Sequence, residues 1–156
     1  MAYEIKPYDH LKHRHQVVAL WETVFGYAAN HNAPERVIAK KLDYDDGLFF
    51  VAIAQETVIG TVMAGYDGHR GWIYSMAVSP DHRKQGVGSR LLIFAEDKLS
   101  KLGCMKINLQ VMEDNAAVAR FYLSNGFHTE KRISMGKRLP QNIQSRGTGG
   151  SSGPSG

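Results

Sequence analysis

The chemistry this 156-residue sequence can carry is densest in one stretch, Met76-Ala77-Val78-Ser79-Pro80-Asp81-His82-Arg83-Lys84-Gln85-Gly86-Val87-Gly88-Ser89-Arg90. An apolar run gives way to a short basic loop with two glycines, and helical spacing starts at those glycines. The first N–H groups of a helix have no carbonyl partner and the helix dipole stands behind them, so they attract anions; glycine lets the backbone come close to a phosphate. Arg83 and Lys84 add positive charge. The stretch contains no G-x-x-x-x-G-K-[ST], and Gly86-Val87-Gly88-Ser89-Arg90-Leu91 lacks the third glycine of G-x-G-x-x-G. The anion it suits is therefore neither a P-loop triphosphate nor a Rossmann dinucleotide. Capping alone is the competing account of two glycines at a helix start.

Other reactive side chains carry less. His10, His13 and His15 lie close together, but without a ligating geometry they read as surface residues of a helix, and no metal is expected. The lone Cys104 can form no internal disulfide; it follows a helix-ending glycine and reads as a packed small apolar residue. A single cysteine fits a reducing compartment. Asp43, Asp45 and Asp46 could attract a cationic ligand or simply stay solvated. Trp21 and Trp72 fit core and site-wall roles equally well.

The elements that must position the loop follow from hydrophobic period. Tyr3 to Pro7 reads as a short extended segment. Asp9 can cap a helix carrying Leu11, Val17, Val18, Leu20, Trp21, Val24 and Phe25, stopped by Gly26. A second helix is predicted over Pro34 to Leu42, with Pro34 in its first turn. Leu48 to Ala54 and Val58 to Ala64 are β-branched and apolar, joined as a hairpin by Gln55-Glu56-Thr57. Tyr66 to Gly71 makes the next turn and Trp72 to Val78 the next strand. Val87, Leu91, Leu92, Ala95, Leu99 and Leu102 form one helical stripe, with Gly103 as the stop. Met105 to Val111 reads as a strand, Asn115 as the cap of a helix ended by Asn125-Gly126, and Phe127 to Leu139 as a final strand flanked by Lys131, Arg132, Lys137 and Arg138. The predicted order is β-α-α-β-β-β-α-β-α-β, a mixed α/β sheet with an antiparallel meander followed by crossovers that demand parallel pairing.

Length supports one domain over residues 1–139, and residues 140–156, rich in glycine and serine, read as a flexible tail of the kind added in expression. No run approaches the ~20 apolar residues of a membrane span, and the first residues do not resemble a targeting segment, so a cytoplasmic protein is expected. The net charge of +4 is unevenly placed: residues 1–69 hold 6 basic and 9 acidic side chains, residues 70–139 hold 12 and 6. The second half invites a polyanion. Nucleic acid is disfavoured, because no platform interleaves aromatic and basic residues. A phosphorylated cofactor satisfies the same charge.

The R-x-x-G-x-G of Arg83, Gly86 and Gly88, following an Ala-Val-Ser-Pro strand end, resembles the pyrophosphate loop of the GNAT superfamily of acyl-CoA-dependent N-acyltransferases. The segment from Asp114 to Phe127 resembles that family's N-x-x-A-x-x-[FL]-Y-x-x-x-G-F, and the element order over residues 3–139 is similar. The stretches Gly60 to Gly71 and Gly136 to Leu139 resemble small bacterial YpeA-like acetyltransferases. The resemblance implies that an amine attacks the thioester of acetyl-CoA directly, without a metal. It implies that backbone groups of Met76, Ala77 and Val78 pair with the pantetheine arm. Arg83, Lys84, Gln85, Gly86, Val87, Gly88 and Ser89 would cradle the pyrophosphate, and Asn115 would reach the pantetheine amides. Tyr122 falls at the general-acid position, seven residues after Asn115 and about two helical turns along the same face. Each has a plainer account, as core, solvated turn, helix cap and packed aromatic respectively.

One position departs from the family's pattern. Gln110 stands where some relatives carry a glutamate base, and an amide cannot take a proton usefully near neutral pH. Glu113, His69, Asp67 or a water chain are the substitutes the sequence offers, and Tyr74 faces either the acceptor or the core. The expected acceptor is a small-molecule or peptide amine, bound between Gly26 to Asn32 and Tyr66 to Gly71. An acyl-CoA-binding module with little or no turnover is the alternative. The last strand offers an edge to which a second copy could add.

Overall fold

A computed structural model gives the fold and describes residues 2–26 and 33–141. The chain runs β1 (Glu4–Pro7), α1 (His10–Phe25), α2 (Pro34–Tyr44), β2 (Phe49–Ala54), β3 (Thr57–Tyr66), β4 (Gly71–Val78), a 3₁₀ turn (Pro80–His82), α3 (Val87–Lys101), β5 (Ile107–Asn108) and α4 (Ala116–Ser124). The five strands lie in sequence order; the first four pair antiparallel and β5 is parallel to β4. The parallel step needs a crossover, which α3 supplies.

Strand period sorts the core into two layers. In β2, Phe50, Ala52 and Ala54 face the cluster built on α3, with Leu91, Leu92, Ala95 and Leu99; Phe49 and Val51 face the cluster of α1 and α2, with Val17, Leu20, Trp21 and Ile38. Burial of both faces explains why β2 and β3 read as continuous apolar runs. The helix limits follow local chemistry. Asp9 accepts from the Lys12 N–H at 3.1 Å, and α1 ends at Gly26 with φ 80°. α4 is capped by Asn115, whose side chain accepts from the Val118 N–H at 3.2 Å.

Three expectations are corrected. β5 is only two residues long, against the expected Met105 to Val111. Phe127 to Leu139 forms no strand, so the edge expected to receive a second copy is not formed, and Ile133 and Met135 are each 88% exposed. Polar side chains, rather than a backbone ladder, connect this segment to the β5 region: Asn108 Nδ2 donates to Glu130 at 2.9 Å, Lys106 pairs with Glu130, and Gln110 bonds Ser134. Such bridges do not bring backbones to the ~4.8 Å spacing of paired strands. Finally, His13 is not a surface residue; it is buried, and its Nδ1 accepts from the Asp9 N–H at 2.9 Å. The expected tail falls almost wholly outside the described residues, as does 27–32 of the expected acceptor loop.

Candidate active site

The site begins as a defect in the sheet. β5 pairs with β4 only at Gly71 and Trp72, so from Ile73 onward the β5 side of β4 has no strand partner among the described residues. On its other side β4 stays paired with β3, through Ala77 to Thr61 and Val78 to Gly60. Between Thr61 and Met63 the register takes three steps on β4 for two on β3, a bulge at Ser75, whose φ is +50°. A bulge bends its strand and raises the twist, which turns β4 away from β5. The bulge is held from behind. Trp21 Nε1 donates to Thr61 Oγ1 at 2.8 Å, and that hydroxyl donates to the Ser75 carbonyl at 2.9 Å.

The gap is one end of a cleft of about 1350 Å³, lined by β4 from Trp72 to Val78, the loop and first turn of α3, Gln110 to Met112, and the inner face of α4. At its α3 end, Lys84 and Gly86 both have φ in the left-handed region, +62° and +81°. Alternation of this kind converges successive N–H groups on an anion. No side chain caps α3, so the N–H groups of Val87, Gly88 and Ser89 have no acceptor from a capping residue. At Gly88 a Cβ would stand 3.1 Å from the Phe121 ring, so glycine allows α4 to approach the helix start. Arg83 reaches back, its Nε donating to the Val78 carbonyl at 3.3 Å.

Tyr122 lines the opposite wall, 8% exposed, between Phe121 and Phe127, each edge-on to it. Burial pushes its phenol up to about 12, because the anion would lose its water. Asn115 lines the same wall, but its carbonyl oxygen is committed to capping α4. Of the residues expected at the cofactor, all but Gln85 line this one cleft.

This arrangement has known counterparts. Residues 13–127 match the model of the acetyltransferase (GNAT) family. The chain belongs to the GNAT family. An acetyltransferase of Yersinia pestis (strain Pestoides F) is 43% identical over 124 residues, 80% of this chain and 87% of that protein. Among solved structures, the PaiA N-acetyltransferase of Thermoplasma acidophilum, in complex with coenzyme A, superposes with TM-score 0.73 at 20% identity over 85% of this chain and 94% of its own. AAC(6')-Iy with a bisubstrate analogue, CoA-S-monomethyl-acetylneamine, gives 0.71 at 15% identity, over 90% and 100%. These two likenesses support the GNAT fold.

Within the GNAT frame, the base candidates separate. Glu113 lines a different cavity, between the β5 region and residues 126–135, and His69 lines neither. Asp67 lines the cleft, but the backbone N–H groups of Arg70 and His69, at 2.7 and 2.8 Å, with the Trp72 indole N–H at 3.3 Å, hold its carboxyl below the ordinary carboxylate value. A carboxylate so stabilised is a fixed charge and a poor proton acceptor. Gln110 lines the cleft with its amide bonded to Ser134. Asp46 lines it too, whereas Asp43 and Asp45 do not. Trp72 is wall and Trp21 is core. Sequence reading gave no role to Lys41, which is buried with its Nζ bonded to Asp46 Oδ2 (2.8 Å), the Ala64 carbonyl (2.6 Å) and Tyr74 Oη (2.7 Å). A lysine on an amphipathic helix carries no signal of burial. His82 was likewise given no role; it lines the cleft with Nδ1 buried and unpartnered among the described residues.

Proposed function

We propose that the single domain of residues 1–139 transfers the acetyl group of acetyl-CoA to a primary amine by direct attack in a ternary complex. The observation that carries this reading is the unpartnered edge of β4 leading to the uncapped start of α3, with Tyr122 across the gap. Backbone groups of Met76, Ala77 and Val78 suit an extended amide-bearing arm added as a strand, and Arg83, Lys84 and the first turn of α3 suit a pyrophosphate. Gln85 belongs to that loop without lining the cleft. Acetyl-CoA supplies the activated acetyl group when bound.

The chain's own groups then do three things. The cleft holds the amine against the thioester, which converts a two-molecule encounter into a local one. As the C–N bond forms and the C–S bond breaks, the Tyr122 phenol gives its proton to the departing sulfur. The amine's surplus proton leaves to cleft water, since neither Gln110 nor the stabilised Asp67 takes it, and water returns a proton to the Tyr122 phenolate. No metal enters. A cytoplasmic setting, where Cys104 stays a free thiol, belongs to this reading.

The test is release of CoA thiol from acetyl-CoA with a panel of amines. Thiol should appear with at least one amine, and acetyl-CoA should raise the melting temperature. Neither effect with any amine overturns the proposal. The absence of a good base among the described residues favours one second reading, an acyl-CoA-binding module with little turnover; it predicts thermal stabilisation with no thiol release.

A further inference from the structure

The cleft has a second end, and its chemistry is the reverse of the first. We propose that the acceptor is a cationic amine that carries no anionic group and has a flat, apolar body beside its reacting nitrogen. This deepens the acetyl-transfer reading and rests on it for which end of the cleft is the acceptor's.

Among the described lining residues the carboxylates are Asp46 and Asp67, both remote in sequence from the loop, while the Lys and Arg side chains are Arg83 and Lys84, both in it. Trp72 and Tyr74 alternate with buried Ile73 on β4, so they share one face, and they are 38% and 40% exposed. Gly65 pairs with Trp72 on the neighbouring strand and adds no side chain; the space a Cβ would fill lies 3.6 Å from the Tyr74 ring. The two side chains therefore border one half-exposed surface.

Both rings are fixed by polar groups already spent. Lys41 uses its three donors on Asp46, Ala64 and Tyr74, so it offers none to a ligand anion and its charge is matched by Asp46. The Trp72 N–H bonds Asp67, which leaves the carboxylate at the rim of that surface. Arg70, beside it in sequence, bonds His69 at 2.8 Å and lines the other cavity. Lys41 Nζ already lies over the Tyr74 ring, 5.1 Å from its centroid, so an ammonium group gains the Trp72 ring and the Asp67 carboxylate there. Among the described residues, an α-carboxylate or a phosphate would meet the Asp67 carboxylate and no available cation, since Lys41 and Asp46 satisfy each other.

The test uses the full chain loaded with CoA, and calorimetric binding of four probes: phenethylamine, phenylalaninamide, phenylalanine and glucosamine 6-phosphate. Phenethylamine separates charge from amine basicity, which differs between phenylalanine and its amide. The first two should bind at least about tenfold more tightly than the last two. Trp72→Ala should weaken phenethylamine by about tenfold and leave CoA affinity within about twofold, and Asp67→Asn should narrow the gap between phenylalaninamide and phenylalanine. Equal binding of phenylalanine and its amide, or binding of none of the four, overturns the proposal. If the ranking holds but acetyl-CoA yields no thiol with these amines, the class stands and the transfer reading falls.

Discussion

At Tyr122 one cause, burial, produces two consequences. The phenol packed against Phe121 and Phe127 is raised to about 12, so it stays protonated at and well above neutral pH. Tyr122→Phe keeps the ring packing and removes the proton; kcat should fall by about 10²-fold with the acetyl-CoA KM little changed, measured by steady-state thiol release. The same shift has a stability sign. Its folded value lies above the ordinary 10, so the contribution is intact below pH 10 and is lost as pH rises towards about 12. Wild type should lose melting temperature across that window more steeply than Tyr122→Phe, with Tyr8, also raised to about 12, supplying the slope that remains. That Tyr122 shares a helix face with Asn115 was legible because helical spacing is a local rule, and both line the cleft. The state of Asp67 was not, since three N–H groups from a folded turn and an indole decide it.

The same division holds among elements. α1, α3, the β2–β3 hairpin and β4 could be read from period and caps alone, and appear within one or two residues of the expected limits. Phe127 to Leu139 could not: its run of charges and its glycine leave a strand dependent on a partner, and two-residue β5 is not one. The bulge at Ser75 was also invisible, because register is a relation between strands. Thr61, fully buried, ties it to Trp21. Thr61→Val preserves shape but leaves the Trp21 N–H and the Ser75 carbonyl unpaired, a loss of about 1–3 kcal/mol. We expect acetyl-CoA KM to rise and kcat/KM to drop about tenfold, with Thr61→Ser restoring both to within about twofold. Loss in both variants alike would refute a role for the hydroxyl. At the start of α1, His13 must be neutral to accept from Asp9, and burial lowers its pKa from the ordinary 6.5. Stability is therefore present above pH 6.5 and falls as pH drops below it. His13→Gln, which keeps an acceptor that does not titrate, should flatten that acid slope in a melting series.

For the whole molecule, the uneven charge of the sequence becomes a property of one cleft. The half with 6 basic and 9 acidic residues contributes Asp46 and Asp67 at one end; the half with 12 and 6 contributes Arg83 and Lys84 at the other. The topology does this. β4 starts just after the acidic half ends and runs to the basic loop, so its open edge connects the two regions. A field arranged along a groove orients a ligand whose ends differ in charge, and it is screened over ~10 Å at 0.1 M salt and ~3 Å at 1 M. The acetyl-CoA KM should therefore rise several-fold between low salt and about 0.5 M. Replacing Arg83 and Lys84 together by glutamine should raise the low-salt KM and flatten its salt dependence, while the acceptor KM keeps its own. If the double variant kept the wild-type slope, the attraction would come from net charge spread over the surface rather than from the loop. The open edge of β4 would then position the cofactor without steering it.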